Sequence, residues 1–515
     1  MASRREESSS RGSWYLPWLI VAAGLWAYRT SFDGAFLFDD YAWILGSGHP
    51  RSLWPLTPIL TGTLRPLVEW SLAANYVVGQ FHVFGYHVVN VAIHLLAGAV
   101  LFGLVRRTLL TERLRAAFGS AAPWLALAVA LLWVVHPLQT QSVTYLSQRA
   151  ESLMGLWYLL TLYGVLRGSS LRHRRWWHAV AVAACALGMA SKPVMITAPL
   201  MALCYDGIFL SGSWREAIRR HRGLYAGLAA TWVVLAWELA SVPMAPEVKA
   251  GFHADLPLPI EYACTQPGVM LHYLALSFWP HPLVLDYYDW PSARAMAAWL
   301  PQSLAILALL LATGWALRHR PAIGFLGVWF FLILAPTSSI FPLGDFAFEY
   351  RMYLPLAGVI GFLVLGSWHL LSHLTAPAAF RQAAAAGFVL LWGAALGLAT
   401  ARRNLDYRSQ VVMWRDVISK RPANARAHNN LANVLAQQGN LQAAAAHYEA
   451  AIQFNPNQAH IRDYAEVRAR AHNNLGNVRF LQGKPQEAIA HYQAALQLQP
   501  DYEEARRNLD HTLNP

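Results

Sequence analysis

The sequence has little charge for its length. Only 13% of its 515 residues are Asp, Glu, Lys or Arg, whereas a soluble domain usually carries about 25%. The hydrophobic content is 56% and the mean hydropathy is +0.29. These values exclude a purely water-soluble globular protein and indicate that lipid is the main solvent of the chain.

Cysteine is also scarce, with Cys185, Cys204 and Cys264 the three in the chain. Three cysteines at these separations give neither a disulfide framework nor the ligand spacing of a zinc site. The first two lie in apolar runs, so we expect them to pack as small hydrophobic side chains.

Acidic residues are fewer than basic ones: the chain has 28 Asp and Glu against 40 Lys and Arg, which gives a net charge of +12. A nucleic-acid-binding function is excluded because the Arg residues cluster in short connections between apolar runs, as in proteins that set their membrane orientation by charge. The Arg-rich and Ala-rich composition indicates a bacterial inner-membrane protein. Two Glu follow Arg4-Arg5, and no small-residue cleavage site is present, so we predict a cytoplasmic tail over residues 1–13 rather than an export signal.

Apolar runs long enough to cross a bilayer dominate residues 14–401, with about eleven in total. Arg clusters follow every second run, which places the N-terminus in the cytoplasm and the C-terminal tail outside. This alternation requires residues 266–282, which contain three prolines, to be re-entrant or interfacial. Residues 30–80 and 242–299 are then outer loops. The predicted runs are 14–28, 83–105, 122–136, 152–166, 176–190, 194–210, 223–241, 300–317, 322–341, 353–372 and 383–400.

The tail, residues 402–515, contains an internal repeat. The heptapeptide at 425–431 recurs at 469–475 with the same seven letters. Small and aromatic residues follow at the offsets of a tetratricopeptide (TPR) repeat, a 34-residue helix–turn–helix unit. The sequence therefore predicts repeats at about 425–458 and 469–502 and a partial unit at 503–515. A ten-residue insertion near Asn457–Glu466 would extend a helix or loop.

Polar side chains from five separate segments fall on the predicted outer face, close to the bilayer boundary. Ionisable groups near hydrocarbon are costly, and they are usually paired or functional. Their convergence predicts a shared polar cavity. The residues are Asp39, Asp40, His136, Gln139, Gln141, Gln148, Arg149, Glu151, Lys192, Glu349 and Arg351.

Adjacent carboxylates such as Asp39 and Asp40 suit a general base or a divalent-cation ligand pair, although a solvated loop or helix cap would use the same residues. Lys192 lies at a predicted helix start, where its charge is unfavourable unless a carboxylate or phosphate faces it.

Glu349 and Arg351 form either an internal ion pair or a phosphate clamp in which Glu349 orients Arg351. Arg149 and Glu151 begin a helix, where a structural role is equally consistent. Asp286 and Asp289 line an acceptor groove or, as we favour, are solvated.

Polar residues recur at helical spacing along the second predicted helix, at His82, His87, Asn90 and His94. Interhelical hydrogen bonding is favoured over metal binding, because the spacing is not that of a zinc site.

Seven short motifs, in this order, resemble the transmembrane-and-TPR protein O-mannosyltransferases of animals and their bacterial relatives. The resemblance covers almost the whole chain and includes the C-terminal repeats. The motifs are Phe38-Asp39-Asp40-Tyr41, Leu64-Arg65-Pro66-Leu67, the segment 84–90, the segment 136–143, Gln148-Arg149-Ala150-Glu151-Ser152, Ser191-Lys192-Pro193 and the segment 349–355.

The resemblance implies an all-α GT-C glycosyltransferase fold and a sugar donor carried on polyprenyl phosphate, with a protein hydroxyl as acceptor. It implies a catalytic role for Asp39 or Asp40. It also implies binding of the lipid phosphate by Arg351, Arg149 and Lys192, with Glu349 beside them. Arg65, His136 and Glu151 are expected to support the site. No cofactor is required, and a divalent cation at Asp39 and Asp40 is left open.

Two other functions compete with the transferase. One is a non-catalytic, membrane-anchored TPR scaffold, which the charges on the outer face disfavour. The other is a transporter of lipid-linked sugars, which would need polar groups deep within helices; Glu69 and Glu238 lie near helix ends or loops, so we rank it last.

Overall fold

The computed structural model describes residues 15–46, 51–170, 173–241, 258–454 and 461–514, with the side chains of 461–464 left aside. Within these ranges the regular structure is helical, with no strand. The predicted N-terminal tail 1–13, residues 242–257 of the second outer loop and residues 455–460 of the repeat insertion lie outside them.

The membrane part of the described chain is built from helices α1–α18, joined by short 3-10 and π turns. The helices are α1 (Leu16–Tyr28), α2 (Thr57–Thr61), α3 (Pro66–Gly79), α4 (Val83–Leu109), α5 (Arg115–Phe118), α6 (Ala122–Val134), α7 (Thr140–Val143), α8 (Arg149–Gly168), α9 (Arg174–Met189), α10 (Ala198–Phe209), α11 (Trp214–Arg220), α12 (Arg222–Ala230), α13 (Trp232–Ser241), α14 (Pro259–Phe278), α15 (Met296–His319), α16 (Pro321–Leu334), α17 (Pro355–Ser372) and α18 (Ala378–Arg403).

Each predicted apolar run falls on one of these helices or on an adjoining pair. Five described helical segments are by themselves long and apolar enough to cross a bilayer. The total rises to seven if two bent pairs are each one span, and α1 and α16 are shorter apolar helices. The membrane-bundle prediction is confirmed, whereas the number of eleven crossings stays a prediction. The predicted re-entrant segment lies mostly in α14, which is not among the candidate spans.

Helix α1 packs against α4, α6 and α18. Hydrogen bonds of buried side chains also join separate elements of the bundle. The indole N–H of buried Trp133 donates to the carbonyl of Tyr353 at 2.8 Å. His94 lies 3.0 Å from the Tyr353 hydroxyl and 3.0 Å from the carbonyl of Val134, so the predicted interhelical bonding of this residue is confirmed.

The tail forms antiparallel helix pairs, as the repeat predicts. Tyr448 donates to Asn433 at 2.7 Å in the first repeat, and Tyr492 donates to Asn477 at 2.8 Å in the second. The helix after the insertion has 21 residues, against 13 for its counterpart, so the insertion extends a helix. The tail helices are α19 (Gln410–Lys420), α20 (Ala425–Gln437), α21 (Leu441–Gln453), α22 (Ile461–Leu481), α23 (Pro485–Leu498) and α24 (Glu503–Leu513).

Gly164 allows helices α8 and α9 to approach closely. A Cβ at this position would lie about 3.0 Å from backbone atoms of Ala181, and small residues at such crossings are typical of membrane helices. We predict that Gly164→Ala destabilises the bundle by about 1–3 kcal/mol through overpacking, measured as a lower unfolding temperature in detergent. Gly366→Ala is the control, because its Cβ would meet nothing within 4 Å. An unfolding temperature for Gly164→Ala equal to that of Gly366→Ala would contradict this packing.

Candidate functional site

Asp40 is a structural carboxylate. It is fully buried, and its oxygens accept hydrogen bonds from the backbone N–H groups of Leu37 at 3.0 Å and Ser147 at 2.7 Å. Burial raises the pKa of Asp40 to about 7, against the opposing effect of these two donors. Both oxygens are therefore occupied in tying the first outer loop to the turn before α8.

Asp39, the neighbouring carboxylate, is only half-buried. Its N–H donates to the hydroxyl of Tyr145 at 2.9 Å. Burial raises the pKa of Asp39, while the Tyr145 hydroxyl and the positive charges of Arg426 and Arg65 lower it, and Asp345 raises it further. The two carboxylates of the motif thus have different roles, and Asp39 is the one that faces other charged groups.

Arg149 cannot bind phosphate in this arrangement, contrary to the role that the family resemblance implied. Its side chain is fully buried, and it donates to Asn90 at 2.6 Å, to the carbonyl of Ser71 at 3.0 Å and to the carbonyl of Tyr86 at 3.2 Å. Arg149 therefore joins α8 to α3 and α4, and Asn90 makes the predicted interhelical bond.

Lys192 is paired with Glu151 inside the protein. This is the carboxylate partner that one of the two sequence interpretations expected for a cation at a helix start. The ammonium also lies 4.4 Å from the centre of the Tyr350 ring. Glu151 is therefore the counterion of Lys192, and the amine of Lys192 lies beside the Tyr350 ring.

Glu349 does not orient Arg351, so that part of the clamp hypothesis is wrong. The carboxylate of Glu349 accepts from the N–H of Val284 at 2.5 Å and from the hydroxyl of Tyr287 at 2.7 Å. Burial raises the pKa of Glu349 to about 7. Its side chain is bonded to the segment between α14 and α15.

Arg351 is also occupied by the protein. Its guanidinium donates to the carbonyls of Phe346 and Asp345, both at 2.8 Å, to the carbonyl of Thr337 at 3.2 Å and to the Tyr262 hydroxyl at 3.3 Å. A guanidinium that satisfies three backbone carbonyls has little capacity left for a ligand. Arg351 therefore fixes the loop that carries Asp345.

The second predicted outer turn also has a bracing role. The ring nitrogens of His136 lie 3.2 Å from the N–H two residues on and 3.2 Å from the carbonyl of Ser277. Gln141 accepts from the N–H of Tyr350 at 2.8 Å. The motif residues of this turn therefore join it to α14 and to the segment that contains Tyr350.

Arg65 is the basic motif residue whose guanidinium does not bond one segment to another. Its guanidinium lies 5.6 Å from the centre of the Trp43 ring and, within the described ranges, makes no hydrogen bond or ion pair. It is partly exposed, and its charge reaches Asp39, Lys192 and Tyr350. Predicted only as a supporting residue, Arg65 is the strongest anion-binding candidate at the site.

Three residues that the sequence did not assign to the site also belong to it: Arg421, Arg426 and Asp345. Arg426 of the tail forms ion pairs with Asp286 and Asp345. Asp286 is fully buried, so the expectation that it is solvated is wrong, and Asp289 is paired with Arg421. The sequence carried no signal for these partners, because they lie more than 80 residues apart.

A divalent-cation site at Asp39 and Asp40 has little support in the geometry. Both oxygens of Asp40 accept backbone N–H groups. No group of three or more His, Cys, Asp or Glu side chains in the part of the chain that the structure describes is arranged to hold a metal ion. The requirement for a cation stays untested.

Comparison with known proteins yields a repeat family first. The tetratricopeptide repeat model matches residues 425–458 and 469–502, the same residues as the two repeats found in the sequence. Among solved structures, ArnT from Cupriavidus metallidurans bound to undecaprenyl phosphate is 15% identical, with a TM-score of 0.41, and the match covers 92% of this chain and 79% of that one.

Curated proteins match over most of the chain. Protein O-mannosyl-transferase TMTC4 of Mus musculus is 25% identical over 84% of this chain, and the Homo sapiens protein is 26% identical over the same share. Drosophila melanogaster Tmtc1, a protein O-mannosyl-transferase, is 26% identical over 84%. The chain spans 66%, 65% and 60% of the lengths of these three relatives. The predicted resemblance is thereby confirmed: across most of its length the chain is similar to the transmembrane-and-TPR protein O-mannosyl-transferases.

Proposed function

We propose that this integral membrane protein is a GT-C glycosyltransferase that moves a sugar from a polyprenyl-phosphate carrier to a protein hydroxyl. Its relatives are named protein O-mannosyl-transferases, which favours mannose. The proposal rests on the half-buried carboxylate of Asp39, on which the positive charge of Arg65 acts, and on the Arg65 guanidinium, which stacks on Trp43 and makes no ion pair within the described ranges. We place this pocket at the outer face of a bacterial inner membrane, with the N-terminus in the cytoplasm and the tail outside.

Asp39 would act as the general base. Its carboxylate takes the proton of a Ser or Thr hydroxyl while the hydroxyl oxygen attacks the anomeric carbon. The bond from that carbon to the phosphate oxygen breaks, and the phosphate leaves with the electron pair. Burial raises the pKa of Asp39, which makes it a stronger base once it is ionised. Attack opposite the leaving group inverts the anomeric configuration.

Arg65 would bind the phosphate, and the Lys192 ammonium would add to the positive potential. A planar guanidinium suits two phosphate oxygens at once. Charge stabilisation of a leaving group is commonly the largest catalytic contribution. Lys192 is neutralised in part by Glu151, so Arg65 carries most of this role.

A non-catalytic, membrane-anchored scaffold is the alternative function. The glycoproteins of a deletion strain distinguish it from a transferase. Mass spectrometry of periplasmic proteins with and without this gene product should show loss of hexose-modified Ser or Thr peptides. Unchanged glycopeptides together with loss of a protein complex would favour the scaffold.

We predict that Asp39→Asn lowers sugar transfer by about 10²–10⁴-fold, the usual contribution of a general base. The assay is transfer from polyprenyl-phosphate mannose to a Thr-rich peptide in membranes that contain the full chain. The unfolding temperature should change little, because the amide oxygen of Asn can accept the hydrogen bond that the Tyr145 hydroxyl gives to the carboxylate. The matched control is Asp33→Asn, which changes an exposed carboxylate of the same outer loop. Full activity of Asp39→Asn would rule out this base.

We predict that Arg65→Gln lowers kcat/KM for the lipid donor by at least about tenfold, the loss of a charge-assisted bond, and that Arg65→Lys restores part of it. Initial rates at varied donor concentration provide the measurement. Arg408→Gln is the control, since Arg408 is exposed and faces Asp33. If Arg65→Gln and Arg408→Gln have equal kcat/KM, phosphate binding by Arg65 is wrong.

A further inference from the structure

The first repeat helix of the tail reaches into the candidate site. Arg426 on α20 donates from Nε to Asp286 at 2.9 Å and from Nη2 to Asp345 at 2.6 Å, with a second bond to Asp286. Its guanidinium also lies 5.3 Å from the ring centre of Phe38 and 4.6 Å from that of Tyr288. One side chain therefore joins the tail to three separate loops around Asp39.

The internal duplication shows that repeat packing does not require these contacts. Arg470 occupies the position of Arg426 in the second copy of the heptapeptide. It is 58% exposed and pairs with Glu466 one turn earlier in its own helix. The same residue in the same repeat position is thus a surface group in one copy and, at 20% exposure, a largely covered tie in the other.

Neighbouring tail residues fix the same surface. Arg421 is paired with Asp289, Lys420 donates to the carbonyl of Leu283 at 2.9 Å, and Asn424 donates to that of Asp286 at 3.1 Å. The tail is therefore bonded to the second outer loop at several points.

We infer that Arg426 is a positioning residue that fixes the first TPR repeat as a wall of the active site. A polypeptide acceptor lying along the tail is then delivered to Asp39 at a fixed distance. The Asp286–Arg426–Asp345 bridge holds both loops in place. The delivery of an acceptor rests on the proposed transferase function, whereas the fixed position of the tail does not.

The test compares Arg426→Gln with Arg470→Gln in the full-length purified protein. Hydrogen exchange in segments 283–290 and 343–347 should become at least about tenfold faster in Arg426→Gln only, because two carboxylates lose their partner. Arg426→Gln combined with Asp286→Asn removes the uncompensated buried charge and guards against simple misfolding. Exchange rates of Arg426→Gln equal to those of Arg470→Gln would overturn the inference.

The transfer assay adds a readout that loss of structure alone would not give. With Asp286→Asn present, Arg426→Gln should impair transfer to a long Thr-rich polypeptide more than transfer to a short Thr-rich peptide, and Arg426→Lys should recover part of the difference. An equal loss on both acceptors would overturn delivery along the tail. If the unmodified chain transfers no sugar, the proposed function fails, while the exchange comparison still decides the docking.

A second, independent feature lies at the other end of helix α9 from Lys192. A cavity of about 440 Å³ lies between the start of α9 and the start of α12, and its floor includes Ala179, Val182 and Leu224. Its charged and ring-bearing lining residues are Arg174, Arg175, His178, Arg220, His221 and Arg222.

These arginines are only partly balanced. Arg220 pairs with Glu216 at 2.5 Å, whereas Arg174, Arg175 and Arg222 have no ion-pair partner within the described part of the chain. The Nε of Arg174 is buried without a hydrogen-bond partner. Orientation by charge explains arginines in these connections, but it explains neither a cavity nor a buried donor directed to no acceptor.

We propose that this cavity binds the phosphate of an anionic phospholipid in the opposite leaflet, with an acyl chain along the apolar floor. Basic pockets between membrane helices recognise such headgroups, and guanidinium groups bind phosphate oxygens in pairs. The site is separate from the sugar-transfer pocket.

The test uses the full chain in phosphatidylcholine vesicles with increasing phosphatidylglycerol, and native mass spectrometry counts bound lipid. Arg174→Gln combined with Arg222→Gln should weaken phosphatidylglycerol retention by about tenfold or more. Arg318→Gln combined with Arg320→Gln, an exposed basic pair, should retain it. Retention unaffected by the first pair would overturn the site. Equal stabilisation of the protein by inorganic phosphate alone would overturn its lipid specificity.

Discussion

The structure depends on one constraint: each charged side chain that the fold buries needs a bonding partner. An isolated buried charge costs several kcal/mol, and removing one member of a buried pair is strongly destabilising. Arg149 and Arg351 meet this constraint by bonding to backbone groups or neutral side chains, and one oxygen of the Glu349 carboxylate does the same. These bonds connect loops that are far apart in the chain, so the same groups that need partners also shape the pocket.

This constraint explains why fewer charged side chains are available to a substrate than the sequence predicted. Charged side chains that look equivalent in the sequence differ in the hydrogen-bond partners that surround them. Arg149 meets Asn90 and two carbonyls, whereas Arg65 meets an aromatic ring. Asp40 receives two N–H groups, whereas its neighbour Asp39 keeps a half-buried carboxylate. The side chains that are free to contact a substrate are therefore those that the fold does not already bond.

The helical elements were predictable because local patterns determine them. Apolar runs mark α4, α15 and α18, and the duplicated heptapeptide marks the two repeats. The partner of each charge was not predictable, since it depends on contacts between distant segments. Arg426 and Arg470 occupy the same position of the repeated heptapeptide, yet tertiary contacts cover most of the first, whereas the second stays exposed.

The tail and the membrane bundle are consequently one mechanical unit at the pocket. A repeat domain joined only by a flexible linker would raise the local concentration of an acceptor without orienting it. Here Trp414 of α19 packs its ring 5.4 Å from Phe38, and Phe38 directly precedes Asp39. The loop that carries the proposed base is therefore packed against the tail through a ring contact as well as through the paired charges of Arg426. In the proposed transfer reaction, orientation of a hydroxyl against a fixed carboxylate is worth more than proximity alone, and these contacts would hold the first repeat for that role.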